Sequence, residues 1–165
     1  MAPQRGIQLY TPEQRQRRDS SRWTLVQGIL APVQLVICVI SAVLVIRFLM
    51  TGEGYAAATV SVVIKTAALY TIMVTGAIWE KEVFGQYLLA PAFFWEDVVS
   101  FLVIALHTVY LVALAAGSMT QEQLMQVALV AYAIYVVNAA QFLWKLRMAR
   151  LSAPTAQTVP QEVPA

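Results

Sequence analysis

Four long runs of apolar residues, separated by short polar stretches, occupy most of the sequence. They cover about residues 25–49, 56–79, 98–116 and 124–144. A helix rises about 1.5 Å per residue, so each run is long enough to cross the hydrocarbon core of a bilayer, which is about 30 Å thick. A helix also satisfies its own backbone hydrogen bonds in lipid. The pattern therefore predicts an all-α polytopic membrane protein with four transmembrane helices.

The polar stretches on either side of these runs predict different structures. In residues 1–23, Thr11 has the chemistry of an N-cap, Pro12 suits the first helical position and Gln14 suits the third. They predict a short interfacial helix that ends near residue 22. Residues 24–148 would form the transmembrane domain. Residues 149–165 are rich in Pro, Ala, Thr and Gln and are expected to form a disordered tail.

Composition supports a membrane-embedded chain and narrows its partners. Apolar residues make up 59% of the chain and charged residues 12%, against about 25% charged residues in ordinary soluble domains. The lipid bilayer is therefore an expected partner, and nucleic acid is not. The single cysteine, Cys38, excludes an internal disulfide and argues against a thiol–disulfide oxidoreductase.

The positions of the basic residues predict the orientation of the chain. An even number of spans puts both termini on one side, and most basic residues fall on that side: Arg5, Arg15, Arg17, Arg18, Arg22, Lys81, Lys145, Arg147 and Arg150. Arg47 falls near the opposite side. The positive-inside rule therefore favours cytoplasmic termini in an inner membrane, with the link between the second and third runs also cytoplasmic.

Two ionisable residues lie within the apolar runs. Lys65 is near the expected bilayer centre, where a lysine costs about 2.5–3.5 kcal/mol on insertion scales. It could face the bundle as a cation for a substrate carboxylate or a proton path, or it could snorkel towards the outer interface. His107, the only histidine, could ligate a metal carried by a ligand, transfer protons or bond to another helix. It shares a helical face with Glu96 and Tyr110, about 16 Å from Glu96 along the axis.

Acidic residues gather at the two ends of the 80–97 link: Glu80, Glu82, Glu96 and Asp97. Glu96 and Asp97 could simply suit the N-terminus of the third helix, where the dipole favours negative charge. Alternatively, the aromatic residues that precede them could exclude water and favour a protonated carboxyl group, as a general acid requires. Glu96 is the first candidate for this acid, followed by Asp97 and Glu80.

Aromatic residues are enriched in the same link: Trp79, Phe84, Tyr87, Phe93, Phe94 and Trp95. They could form an interfacial belt, or a platform for a flat apolar ligand with Trp79, Phe94 and Trp95 closest to it. In the fourth run, Asn138 and Gln141 are placed to reach such a ligand, although polar residues at these depths commonly bond one helix to another.

Several strings of the sequence are distinctive when taken together. They are residues 23–28, 31–32, 51–54, 74–81, 90–97, 105–108 and 135–141, and the most specific is Ala-Pro-Ala-Phe-Phe-Trp-Glu-Asp at 90–97. These strings resemble the 3-vinyl bacteriochlorophyllide hydratases. The likeness covers about residues 8–148, nearly the whole chain.

The resemblance implies a membrane enzyme of bacteriochlorophyll synthesis in a phototrophic bacterium. It would add water across the C3-vinyl group of chlorophyllide a or 3-vinyl bacteriochlorophyllide, giving a 3-(1-hydroxyethyl) group. No cofactor or metal site of the protein is expected, because the substrate brings its own magnesium and a carboxylate. With this chemistry, the catalytic candidates are Glu96, Asp97, Glu80 and His107, and the substrate-binding candidates are Lys65, Trp79, Phe94, Trp95, Tyr110, Asn138 and Gln141. His107 could ligate the magnesium or activate water.

Two other functions fit the same residues. One is a tetrapyrrole-binding carrier or assembly factor without catalysis, which would use the aromatic link and His107. The other is a small proton-coupled transporter built on Lys65 and the carboxylates. Four helices make a thin enclosure for a macrocycle, so a homodimer or contact with neighbouring pigment-synthesis enzymes is also an expectation.

Overall fold

The computed structural model describes residues 9–151, with side chains described through residue 149. This part of the chain contains five helices: α1 (Pro12–Ser20), α2 (Arg22–Thr51), α3 (Tyr55–Phe84), α4 (Phe94–Ala116) and α5 (Gln121–Leu151). Each of the last four is long and apolar enough to cross a membrane. The predicted all-α membrane fold is therefore confirmed.

The four long helices run antiparallel to their neighbours in the chain. Between α2 and α3, the Gln27 side chain donates to the Thr75 hydroxyl at 2.7 Å, and Phe48 packs against Tyr55 at the other end. Between α4 and α5, Ser100 meets Asn138 and His107 meets Tyr132. Short turns at residues 52–54 and 117–120 reverse the chain at one end of this bundle. The link of residues 85–93 joins α3 to α4 at the other end, which we call the link end.

The helices extend beyond the predicted apolar runs, chiefly at the link end. α3 continues to Phe84, and α4 begins at Phe94 instead of residue 98. α5 continues to Leu151, so the disordered tail expected from residue 149 does not begin there; residues 152–165 lie outside the described residues. Hydrophobicity marks the part of a helix that crosses lipid, whereas the helix itself ends where a cap stops it. Gly85, at φ 87°, caps α3.

The predicted short helix before the first span is present as α1. The Gln14 amide N–H donates to the Thr11 hydroxyl at 3.2 Å, and the Thr11 N–H donates to the Gln14 side chain at 2.9 Å. These reciprocal bonds form the predicted capping box. Tyr10, just before this helix, stacks on Phe84 with ring centroids 5.7 Å apart. The segment before the first span is therefore fixed against the link end of the bundle.

Polar contacts between helices occupy the interior of the bundle. Ser41 forms hydrogen bonds with Tyr132 of α5 at 2.6 Å and with Ser61 of α3 at 2.7 Å. Gln34, which lies seven residues before Ser41 on the same face of α2, is also buried. These contacts join α2, α3 and α5 around one core.

Candidate active site

Two carboxyl groups meet beneath the link. Glu80 near the end of α3 and Asp97 near the start of α4 are in hydrogen-bonding contact with each other, and both are almost fully buried. Ionised carboxylates have only acceptors, so this contact requires a proton between the two groups. The backbone of the link supplies further donors: Leu89 N–H to Asp97 at 2.7 Å and Ala90 N–H to Glu80 at 3.2 Å.

The link itself adopts an unusual backbone conformation at this point. Leu89 has φ 59°, in the left-handed region that residues with a side chain rarely adopt. Its N–H group is the one that Asp97 accepts. Ala90 beside it is fully buried. The two carboxyl groups therefore fix the backbone of the link, in addition to their contact with each other.

The third carboxyl group has a different partner. Glu96 forms an ion pair with Lys145 of α5, with 2.5 Å between Oε2 and Nζ. The residue at the N-cap of α4 is Phe93, and no side chain caps this helix. Glu96 and Asp97 lie in the first turn of α4, where their negative charge suits the helix dipole as expected, and their side chains also bond to α5 and to the link. Glu82 is exposed and lies apart from this cluster.

A chain of hydrogen bonds continues from Glu96 into the bundle. The Ser100 hydroxyl donates to the Glu96 carbonyl oxygen at 2.8 Å, and the Asn138 amide nitrogen donates to the Ser100 hydroxyl at 2.7 Å. The Asn138 carbonyl oxygen is buried and has no hydrogen-bond partner among the described residues, and the same is true of Gln141 Oε1. Two unused acceptors thus lie one helical turn apart on α5.

An open groove of about 410 Å³ lies against these residues. Its lining consists of one residue of α4 and four of α5: Glu96, Val137, Ala140, Gln141 and Trp144. Volumes of about 300–1,000 Å³ are typical of small-molecule sites. Trp144 and Val137 are exposed on the outer surface of the bundle. The groove is therefore mainly apolar and open to the side of the bundle. Its polar side chains are the carboxyl group of Glu96 and the amide of Gln141.

The aromatic residues of the link divide into two groups. Phe93 is fully buried, and its ring packs against an aromatic cluster of Tyr10, Trp79, Phe84 and Phe142 at centroid distances of 5.7–6.4 Å. Phe94 and Trp95 are 41% and 68% exposed. Of the three rings only Phe93 is buried, and its centroid lies 5.3 Å from the Nζ atom of Lys145, the ion-pair partner of Glu96. Trp79 is tied to this cluster, with its indole N–H donating to Thr24 at 2.9 Å.

Lys65 lies inside the bundle, far from this cluster along α3. Its side chain is fully buried, so the alternative that it snorkels to the interface is wrong. Its Nζ lies 3.8 Å from the centroid of the Tyr135 ring and has no hydrogen-bond partner among the described residues. The lysine is not among the residues that line the groove.

His107 and Tyr110 share the buried face of α4 with Glu96, as predicted. The His107 ring nitrogen Nδ1 lies 2.8 Å from the Val103 carbonyl oxygen, so Nδ1 carries the proton. Its Nε2 has no hydrogen-bond partner among the described residues. The ring packs against Tyr132 at 5.8 Å between centroids. His107 thus belongs to the interior with Lys65, about 16 Å along the helix from Glu96.

Three residues at the site were not predicted from the sequence: Lys145, which pairs with Glu96, Trp144, which lines the groove, and Phe142, which packs on Phe93. Helical spacing offers a signal for Lys145, because it follows Asn138 and Gln141 on α5 at intervals of three and four residues. The partner of each, on α4 or in the link, is not visible from spacing on one helix.

Comparisons with known proteins agree with this picture. A family model described as 2-vinyl bacteriochlorophyllide hydratase matches residues 10–148. A relative from Cereibacter sphaeroides with that name is 69% identical over 156 residues, which are 94% of this chain and 96% of the relative. A second, from Rhodobacter capsulatus, is 69% identical over 145 residues, 88% of this chain and 84% of the relative. No solved structure gives a significant match. The chain therefore belongs to the 2-vinyl bacteriochlorophyllide hydratase family.

Proposed function

We propose that this protein hydrates the vinyl group of a bacteriochlorophyllide-type pigment, as the names of its relatives describe. The vinyl position is numbered 2 in those names and 3 in the numbering used above. The reaction adds a proton to the terminal vinyl carbon and a hydroxyl group to the inner carbon. The observation that carries the proposal is the cluster of three carboxyl groups at a groove that is open to the outside of the bundle.

The proton donor is assigned within this cluster by geometry. A general acid must lie within hydrogen-bond reach of the atom that it protonates, and Glu96 is the carboxyl group that lines the groove. Asp97 follows Glu96 in the chain and shares a proton with Glu80. We assign Glu96 as the group that faces the vinyl carbon. In the ion pair with Lys145 it is a carboxylate, so it serves as the acid only after the substrate carboxylate takes over Lys145 and the Glu80–Asp97 pair behind it supplies a proton.

The reaction then balances within one site. Protonation of the terminal carbon leaves a cation at the inner carbon, which the conjugated ring stabilises. Water attacks this carbon, and the proton that it releases returns to the carboxylate of Glu96. One carboxyl group therefore acts first as an acid and then as a base. This sequence calls for no redox step and no cofactor of the protein, and the magnesium arrives with the substrate.

The groove suits the ring system of the substrate better than the bundle interior does. A chlorin is flat and apolar, and the groove presents the indole of Trp144 beside aliphatic side chains. Lys145, next to the groove, is a candidate for the substrate carboxylate in place of the enclosed Lys65. The roles first predicted for His107, as a magnesium ligand or a base, would require the macrocycle to enter the bundle.

The membrane orientation is part of the proposal. Among the described residues, the basic side chains of α1 and of Arg22, Lys81, Lys145 and Arg147 fall at the link end, which supports a cytoplasmic location for this end and for both termini. The pigment would reach the groove along the cytoplasmic leaflet of the inner membrane. Reporter domains fused to each terminus test this, since activity of a reporter that works only outside the cytoplasm would overturn it.

The function itself is tested by incubating purified full-length protein with chlorophyllide a and with 3-vinyl bacteriochlorophyllide. A product that gains the mass of one water supports the hydratase and shows which pigment is preferred. Pigment binding without product would point to a carrier or assembly factor. Proton-dependent solute flux in vesicles, without hydration, would point to a transporter. Glu96→Gln provides the matched inactive control.

A further inference from the structure

The donor and acceptor order around Asn138 is fixed by its neighbours. The Ser100 hydroxyl uses its only proton on the Glu96 carbonyl oxygen, at 2.8 Å. It must therefore accept from Asn138, whose amide nitrogen lies 2.7 Å away. This leaves the Asn138 carbonyl oxygen on the other side of the amide, buried and without a partner among residues 9–149. Asn138 is 7% exposed, so bulk water does not solvate this oxygen freely.

Gln141 presents a second acceptor on the same side of α5. It lies three residues after Asn138, a spacing that brings two side chains together on a helix. Its Oε1 is also buried without a partner in the described part of the chain, and the residue lines the groove together with Glu96. A buried carbonyl oxygen without a hydrogen bond is unfavourable, so two of them beside a reaction site indicate a ligand that has two donors.

We propose that the carbonyl oxygens of Asn138 and Gln141 hold the water molecule that attacks the substrate. The inference rests on the proposed function. Water has two O–H donors, and two neighbouring acceptors would take both of them. Its lone pairs would then point away from α5, into the groove where the vinyl group is protonated. After attack, one of the two O–H groups turns from Gln141 to the Glu96 carboxylate in the same groove and gives up its proton there. Asn138 and Gln141 are thus assigned as positioning residues for the water, distinct from the carboxyl groups that move the proton.

This division of roles predicts a specific side reaction. In D₂O the acid adds a deuteron to the terminal CH₂ carbon and leaves a cation at the inner carbon. If water is well placed, the cation is captured as the hydroxyethyl product. If water is misplaced, the cation loses a proton from the terminal carbon, and the vinyl group is restored with one deuterium in place of one hydrogen. The variants should therefore exchange the vinyl hydrogen instead of hydrating it.

The experiment measures both products by mass spectrometry, using the full chain and a 3-vinyl pigment in D₂O. We expect Gln141→Met and Asn138→Leu to lower the hydration rate about tenfold or more, as misplacement of a reactant does, with little change in pigment affinity. The deuterium in recovered vinyl pigment, relative to product formed, should rise by a similar factor. Gln141→Glu keeps an acceptor oxygen and should retain a low ratio. Gln126→Met, at an exposed position of α5, is the matched control.

Three outcomes would overturn the inference. An unchanged ratio of exchange to hydration in Gln141→Met and Asn138→Leu would show that these residues do not place the water. Loss of both hydration and vinyl exchange in folded variants that still bind pigment would show that Asn138 and Gln141 act in the proton-transfer step instead. If wild type hydrates no pigment, the proposed function fails and this inference fails with it. Should Asn138→Leu not fold, Gln141→Met at its partly buried position decides the matter alone.

Discussion

Glu80 and Asp97 are in hydrogen-bonding contact although they belong to different helices and are separated by the whole link. Each also accepts a backbone N–H from the link, at Ala90 and Leu89 respectively. This arrangement has two possible consequences for function. It can store a proton behind Glu96, and it can hold the link in its left-handed conformation at Leu89.

Replacement of Glu80 by the isosteric amide glutamine distinguishes proton storage from support of the link. Glu80→Gln keeps an acceptor for Ala90 and supplies an N–H for Asp97, but it removes the shared proton. We expect a fall in kcat towards the lower end of the about 10²–10⁴-fold range of general acid–base catalysis, with an unchanged Tm. Initial rates, pigment affinity and thermal unfolding in detergent measure this. Glu82→Gln, two residues further along and exposed, is the control. Full activity in Glu80→Gln would leave the pair a purely structural role.

The assignment of Glu96 as the group facing the substrate makes a stronger prediction. Glu96→Gln should reduce kcat by about 10²–10⁴-fold while pigment still binds, and it should abolish vinyl exchange in D₂O as well as hydration. Loss of the ion pair with the partly exposed Lys145 should cost only about 1 kcal/mol of folding free energy. Near-normal hydration by a folded Glu96→Gln protein would transfer the role of acid to Asp97 or Glu80.

The sequence predicts the helices and their inward faces better than it predicts contacts between elements. Hydrophobic runs identify all four spans, and helical periodicity correctly places Glu96, His107 and Tyr110 on one buried face. Each of these inferences depends on spacing within a single helix. The ion pair of Glu96 with Lys145 joins two helices, and no pattern within either helix specifies it.

The aromatic residues show the same limit. Enrichment in the link identifies the right region, but it does not separate buried Phe93 from exposed Phe94 and Trp95, which are its neighbours in the chain. The start of α4 at Phe94 decides which ring faces inwards. Because the third apolar run begins only at residue 98, this start is not visible from hydrophobicity.

These two aromatic groups should respond differently to truncation. Phe93→Ala removes the ring at the centre of the aromatic cluster and should lower the free energy of unfolding by about 3–5 kcal/mol. Phe94→Ala and Trp95→Ala remove exposed rings and should leave the Tm nearly unchanged. Thermal unfolding of the three variants in one detergent measures the contrast.

Pigment binding should depend on Trp144 of α5, which lies outside the link. Trp144 lines the groove and is 72% exposed, so Trp144→Ala should weaken pigment binding about tenfold without destabilising the bundle. Titration followed by pigment absorbance measures the affinity. If Phe94→Ala or Trp95→Ala weakens binding and Trp144→Ala does not, the pigment lies against the aromatic residues of the 80–97 link, as first predicted from the sequence.

Lys65 offers a test of whether an enclosed charge is retained for stability or for function. Its ammonium group is fully buried, and the contact with the Tyr135 ring at 3.8 Å replaces only part of the hydration that the group loses. Burial in a membrane costs a lysine about 2.5–3.5 kcal/mol, whereas a well-desolvated cation–π contact returns about 2 kcal/mol. Lys65→Met keeps the length of the side chain and removes the charge. We therefore expect its Tm to equal or exceed that of wild type.

The size control is Lys65→Ala, which should lower stability by about 2–5 kcal/mol because it leaves a cavity beside Tyr135. Unfolding in detergent and hydration rates should be measured on the same preparations. A fall in Tm for Lys65→Met would mean that the ammonium group makes a net stabilising contribution. If Lys65→Met folds well but loses hydration, the buried cation serves the reaction from a distance, since it does not line the groove at Glu96. Normal hydration in this variant would instead confine the chemistry to the link end.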